Sequence, residues 1–294
     1  MRPGTKKNRL FLLFILPALL WVVSGTIYPF FYSIYISLTD MSMMRPQSTD
    51  FIWLENYMQL FQNKDFLKSV QTSLVFTSWV VLFQFLFGFL LALLMANKRR
   101  LVSVVRMSVM LPWVLPPIAL ALIWAWVLKA GNTGLVNSVL INFGVQPVQW
   151  FGTQYAMFSV ILITVWTGVP LSFMLEMASL QKIPEELHEA ASVDGANPLQ
   201  RLFHIILPLM KDTFRINLIM ITIASIGYFD IIYAITQGGP RGRTEVLPML
   251  MYNVAFKSHS MGKGSAIAVV MLIMSTVYTL AYLLIFREKR GEQL

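Results

Sequence analysis

The sequence carries three histidines, 14 acidic residues and no cysteine, and these limits decide most of the chemistry open to it. His188, His204 and His259 fall outside the long apolar stretches. A membrane serine protease, which needs an imidazole beside an intramembrane Ser, therefore has no base to draw on. His188-Glu189-Ala190-Ala191-Ser192 opens like the zinc motif H-E-x-x-H, but Ser192 stands where the second imidazole would be. Gly262-Lys263-Gly264-Ser265 is like the end of a phosphate loop. However, Lys257 occupies the first Gly position and Gly264 the magnesium-binding hydroxyl position. Asp230 is read as the one carboxylate inside an apolar span, so an aspartic dyad at one depth has no second member. The 18 methionines are read as packing residues rather than copper ligands. The expectation is a chain that catalyses nothing and holds no metal or cofactor of its own.

What positions these residues is a set of long apolar segments. The chain of 294 residues is 56% apolar and 13% charged, with a mean hydropathy of +0.64. A soluble domain carries about a quarter charged residues. The charge-free runs Leu10–Thr39, Ser69–Asn97, Met107–Leu128, Ala130–Leu175 and Gly264–Phe286 each meet the roughly 20 residues needed to cross a bilayer. The pattern predicts an all-α polytopic membrane protein with six spans, near 10–38, 70–96, 102–128, 155–180, 214–236 and 265–286, in one domain over 1–294. The net charge of +9 would suggest nucleic acid in a soluble protein. Here, 15 of the 23 Lys and Arg fall on one side of those spans, as the positive-inside rule describes. That bias predicts cytoplasmic N- and C-termini and no nucleic-acid partner. The first apolar run is about twice a signal peptide's core, so a retained anchor is expected.

The longest loop on the basic side runs from 181 to 213. Pro184 fits a first helical position, with Glu185 and Glu186 complementing the helix dipole. Gly195 is a natural stop, and Asn197-Pro198 supplies a new cap and start. Pro208 kinks or restarts the chain into the fifth span. Two readings suit this helix–turn–helix: an interfacial amphipathic helix, or a small-sided turn that another protein's backbone approaches closely.

The order of residues separates them. Glu189-Ala190-Ala191-Ser192-Val193-Asp194-Gly195-Ala196, followed by Phe203, Ile206, Leu207 and Pro208, resembles the EAA loop of ABC-importer permeases. Phe229-Asp230-Ile231-Ile232-Tyr233, Thr236-Gln237-Gly238-Gly239-Pro240 and the Gly262–Ala268 stretch are similar to the carbohydrate branch of that family. Leu16-Pro17-Ala18 and Tyr28-Pro29 are similar to the first span of its maltose and glycerol-3-phosphate permeases. One departure is Asp212, where a Pro is often found.

The resemblance implies the ABC-importer permease (MetI-like) fold and a subunit that forms half of a pore for a carbohydrate. Its partners would be a second, homologous permease, usually a different chain, an ABC ATPase dimer that binds ATP and Mg, and an extracytoplasmic solute-binding protein. The location would be a bacterial or archaeal plasma membrane. Glu189, Ala190, Ala191, Asp194, Gly195 and Ala196 would couple to the ATPase. Gln84, Trp124, Trp166, Tyr228, Phe229 and Asp230 are candidates for the sugar path, since aromatic faces cover C–H groups and amides bind hydroxyls. Asp230 has a second reading, as an interfacial acid paired with Arg241 or Arg243. A permease for glycerol phosphate would favour an Arg or Lys in a span, and one for another charged solute such as a polyamine several acids. A self-sufficient secondary transporter would need several intramembrane acids.

Overall fold

The computed structural model describes residues 15–45, 47–96 and 99–287, with backbone alone for 99–106. The basic residues Arg2, Lys6, Lys7, Arg9, Lys98, Lys289 and Arg290, and the expected start of the first span at Leu10, lie outside the described residues. By its contacts the chain divides into two compact units. One runs up to Leu67 and includes Met251–Val270; the other holds Lys68–Leu250 and the chain from Met271 onward.

The first unit contains α1 (Ile15–Ser37), α2 (Glu55–Gln62), α12 (Leu247–Tyr252, continued by a π-turn over Asn253–Lys257) from its Met251 onward, and the start of α13 (Met261–Ile285). Asn56 organises it. Its buried side-chain N–H₂ donates to the carbonyls of Ser37 at 2.9 Å and Thr39 at 2.8 Å, satisfying the end of α1. The Met43 N–H donates to the His259 carbonyl at 2.9 Å, which ties the loop after α1 to the start of α13. Along its most apolar window α1 buries nothing. A helix that is apolar all round and unburied by its own chain must face lipid or another subunit.

The second unit is built around α7 (Ala156–Leu180), 61% of whose most apolar window is buried, against 33% for α3 (Lys64–Ala96) and for Lys211–Ile235. The Asn63 side chain starts α3 by accepting from the N–H groups of Asp65 and Phe66. Its 33 residues reach about 50 Å, well past the hydrocarbon thickness. The short helix α6 (Leu135–Asn142) follows the third span. A cluster of Phe89, Phe173, Met177, Leu180, Met210 and Phe214 fills one end of the unit. Ala121, Leu128, Ile163 and Ile231 fill the other.

Among the described residues five helices are long and apolar enough to cross a membrane, and six with one bent pair counted as a span. That pair is the expected third span. Instead of one rod over 102–128, the chain forms α4 (Arg99–Val114) and α5 (Pro117–Val127), bent by 108°. Pro116 and Pro117 cause the break, since neither has an N–H to continue the helix and Pro116 adopts an extended ψ of 135°. The fifth segment also divides, into α10 (Lys211–Ile226) and α11 (Asp230–Ile235).

Candidate functional site

Between α7 and α10 the chain makes two short helices, α8 (Glu185–Val193) and α9. α9 begins as Pro198–Arg201 and runs through a π-turn, Leu202–Ile206, to Leu207–Leu209. Pro184 caps α8 from just outside rather than occupying its first turn. The corner itself is held by backbone. Gly195, at φ +74°, takes the left-handed position that ends a helix without steric cost. Its N–H donates to the Ser192 carbonyl at 3.2 Å, and that of Ala196 to the Ala191 carbonyl at 2.9 Å. These are the two bonds of a Schellman ending. Asn197 then opens α9 with a reciprocal capping box, each bond with Gln200 being 2.8 Å. Arg201 reaches back to the Ser192 hydroxyl at 3.2 Å, joining the two helices.

Of the six residues expected to couple, Glu189, Ala190, Asp194 and Gly195 are exposed, Ala196 is half-buried and Ala191 is buried. Around them stand exposed apolar side chains: Val193 at 88%, with Leu199 and Phe203 at 60% or more. Such a patch on a self-supported corner marks a surface made to be covered. Arg215 forms an ion pair with Asp212 at 2.9 Å. Among the described residues Glu189 makes none.

A second feature lies within the helices. Gln84, Pro112, Trp113, Thr164, Thr167, Gly168, Ser225 and Tyr228 contribute to the lining of a cavity of about 270 Å³, placed where α4 and α5 bend apart. Thr167 and Tyr228 share a hydrogen bond of 3.1 Å across it. Thr164 is buried, and its hydroxyl has no partner among the described residues. No charged residue contributes to the lining. Hydroxyls, an amide and an indole without charge suit a neutral, polar solute.

Of the expected path residues, the structure brings Gln84 and Tyr228 to this cavity. Trp124 and Trp166 pack edge to face on each other, centroids 5.3 Å apart, and Trp166 borders a separate apolar groove. Phe229 stacks on Tyr233. Asp230 is exposed in the first turn of α11 and makes no ion pair with Arg241 or Arg243 among the described residues. A carboxylate in a first turn is already favoured by the helix dipole, so it needs no cation.

The expectation that Asp230 is the only intramembrane acid is overturned. Glu176 lies inside α7, fully buried, and accepts from Asn217 of α10 at 2.8 Å. Ser172 donates to the Asn217 side-chain oxygen at 3.3 Å, and Gln84 donates to Ser172 at 3.4 Å and to the Gly168 carbonyl at 3.0 Å. Gly88 of α3 faces this row, and a Cβ there would meet Ser172 and the second Glu176 oxygen. Glu176 and Asp230 sit at opposite ends of the unit's helices, so they form no dyad.

The corner and the cavity can now be set beside known proteins. Residues 84–291 match the family described as the inner membrane component of binding-protein-dependent transport systems. The chain belongs to this family. The permease is 33% identical over 286 residues to the trehalose/maltose transport system permease protein of Thermococcus litoralis, covering 97% of this chain and 96% of that one. It is 34% identical over 278 residues to the sulfoquinovosyl glycerol transport system permease protein of Agrobacterium fabrum, covering 94% and 90%. Its fold matches a chain of a bacterial alginate ABC transporter with a TM-score of 0.83 at 21% identity, over 96% of this chain and 95% of that one. The permease is thus an all-helical membrane transport subunit with the ABC-importer permease fold.

Proposed function

We propose that this permease imports a neutral carbohydrate, as one half of a pore whose work is done by a separate ATPase. The uncharged cavity carries the reading. A phosphate ester would call for Arg or Lys in contact with the solute, and the lining holds neither. Gln84, Thr164, Thr167, Ser225 and Tyr228 offer the alternating donors and acceptors that sugar hydroxyls require, and Trp113 offers a flat apolar face. The relative named for trehalose and maltose, both uncharged glycosides, supports this solute class. Phe229 and Asp230 flank the outer mouth of the path, with Trp124 and Trp166 as its supporting wall.

In this reading the α8–α9 corner faces the cytoplasm and seats in the ATPase, with Glu189 against a partner cation and Gly195 at the closest approach. ATP and Mg belong to that partner. The whole chain forms one transmembrane domain with both termini cytoplasmic, pairs with a second permease of different sequence, and receives its solute from a binding protein outside. Alginate transporter crystals hold a periplasmic protein bound to an alginate pentasaccharide, which supports this assembly. The test is uptake by proteoliposomes containing the transporter purified from cells through a tag on this chain. ATP-dependent accumulation of a neutral glycoside, lost when the ATPase is stripped away, is expected. Accumulation driven by an ion gradient alone would sink the reading.

A further inference from the structure

The row of buried polar groups described above does not end at Glu176. Along α7 the participating positions are Gly168, Ser172, Glu176 and Ser179, spaced about four apart and therefore on one face. Along α10 they are Thr213 and Asn217. Thr213 donates to the Ser179 hydroxyl at 2.9 Å, at the point where both helices leave for the α8–α9 corner. At the other end Gln84 lines the cavity and holds Gly168 and Ser172. Hydrogen bonds thus run from Gln84 at the cavity wall through Ser172 and Asn217 to Glu176, all buried, and a separate, half-buried pair, Thr213 and Ser179, joins the same two helices at the foot of the corner.

Apolar contacts between membrane helices slide, because lipid and side chain are alike in character. A hydrogen-bonded row in hydrocarbon does not, since every displaced donor loses its partner with no water to replace it. We infer that Glu176 is a positioning residue for coupling: with Asn217 it locks α7 to α10 as one rigid strut, so that displacement of the corner reaches the cavity without loss. The inference rests on the reading of the corner as the ATPase seat. Glu176 touches neither solute nor nucleotide in this scheme, and its second oxygen has no hydrogen-bond partner among the described residues, so Asn217 is its sole link to α10.

The absence of cysteine gives a clean test. In the intact transporter, Ser179→Cys with Thr213→Cys places two thiols where two hydroxyls touch. Oxidation is expected to cross-link them fully and leave ATP-driven uptake within about two-fold of the reduced form, as a strut that never opens requires. Failure to cross-link, or uptake blocked by oxidation and restored by reductant, overturns the inference. The second arm is Glu176→Leu against Glu176→Gln, read as solute moved per ATP hydrolysed. Gln keeps an acceptor for Asn217 and is expected to behave as the native chain. Leu is expected to retain ATPase activity while solute moved per ATP falls roughly ten-fold. A purely structural role would lower the amount of assembled transporter and leave that ratio unchanged. Should Glu176→Leu fail to assemble, Ser172→Ala, which removes a single hydroxyl, must lower the same ratio, and an unchanged ratio overturns the inference. Gly195→Asp in parallel separates the two levels. If it couples normally, the seat is wrong; if it is dead while the Glu176 variants couple normally, the strut is wrong.

Discussion

The α8–α9 corner and the α7–α10 seam lie a few residues apart in sequence but are stabilised in opposite ways. The corner is secured by its own backbone: a Schellman ending at Gly195 and a capping box at Asn197 satisfy its polar groups within a dozen residues. Its side chains are left largely free, and most of them are exposed. The seam is secured by side chains from three helices, all buried but the last pair, each depending on a neighbour that is distant in sequence. A corner of the first kind tolerates changes in stability but not in shape. A seam of the second kind loses stability with any one of its partners.

The largest expected effect therefore comes from the corner. Gly195→Asp puts a Cβ and a charge on a residue at φ +74°, on the exposed apex. ATP-driven uptake is expected to fall by roughly 100-fold or more, with the amount of protein in the membrane unchanged on an immunoblot. Loss of the protein itself would show that the corner matters to folding, and the contrast with the seam would collapse.

Next is the seam. Asn217→Leu removes the only described bond to Glu176 and leaves a buried carboxyl without a partner, at a cost of about 1–3 kcal/mol. The melting temperature in detergent should drop by several degrees, on the scale of about 2–4 °C per kcal/mol for a chain of this size. Asn197→Ala, which costs the corner about 1 kcal/mol locally, should leave that global midpoint nearly unmoved. Equal shifts for the two variants would erase the distinction between the regions.

These predictions also mark what the sequence could say. The helices were legible because apolar runs of bilayer length have few other uses, and the corner was legible because Pro, Gly and Asn fix backbone geometry locally. The seam was not. Scanning for uncharged runs treats an acid as a boundary, so Glu176, just past the run that ends at Leu175, went unremarked although the expected span 155–180 contains it. Asn217 and Ser172 carry no charge to attract notice, and their partners are 41 and 45 residues away. The bend at Leu115–Pro116 was foreshadowed by three prolines within 112–117, but its angle is set by what α5 packs against, namely α11. Among the residues that line the cavity, Gln84 and Tyr228 were singled out from their chemistry. Thr164, Thr167 and Ser225 were not, because hydroxyls in membrane helices ordinarily bond their own backbone.

The smallest expected effect is at the cavity, where the seam ends. Thr164→Val keeps the shape and removes the unpartnered hydroxyl. If that hydroxyl meets the solute, the KM for uptake should rise by roughly five-fold with kcat unchanged, the equivalent of one ordinary hydrogen bond. An unchanged KM would move the solute contact away from α7 and leave the seam connected to an empty wall.

One property of the corner bears on how fast such a machine can turn over. Because its hydrogen bonds close on themselves, nothing in its peptide chain waits for a partner to complete it. It can be gripped and let go in each cycle without melting or re-forming. In the proposed assembly the seat would therefore handle a finished part, and the work of each stroke would go into moving it rather than into rebuilding it.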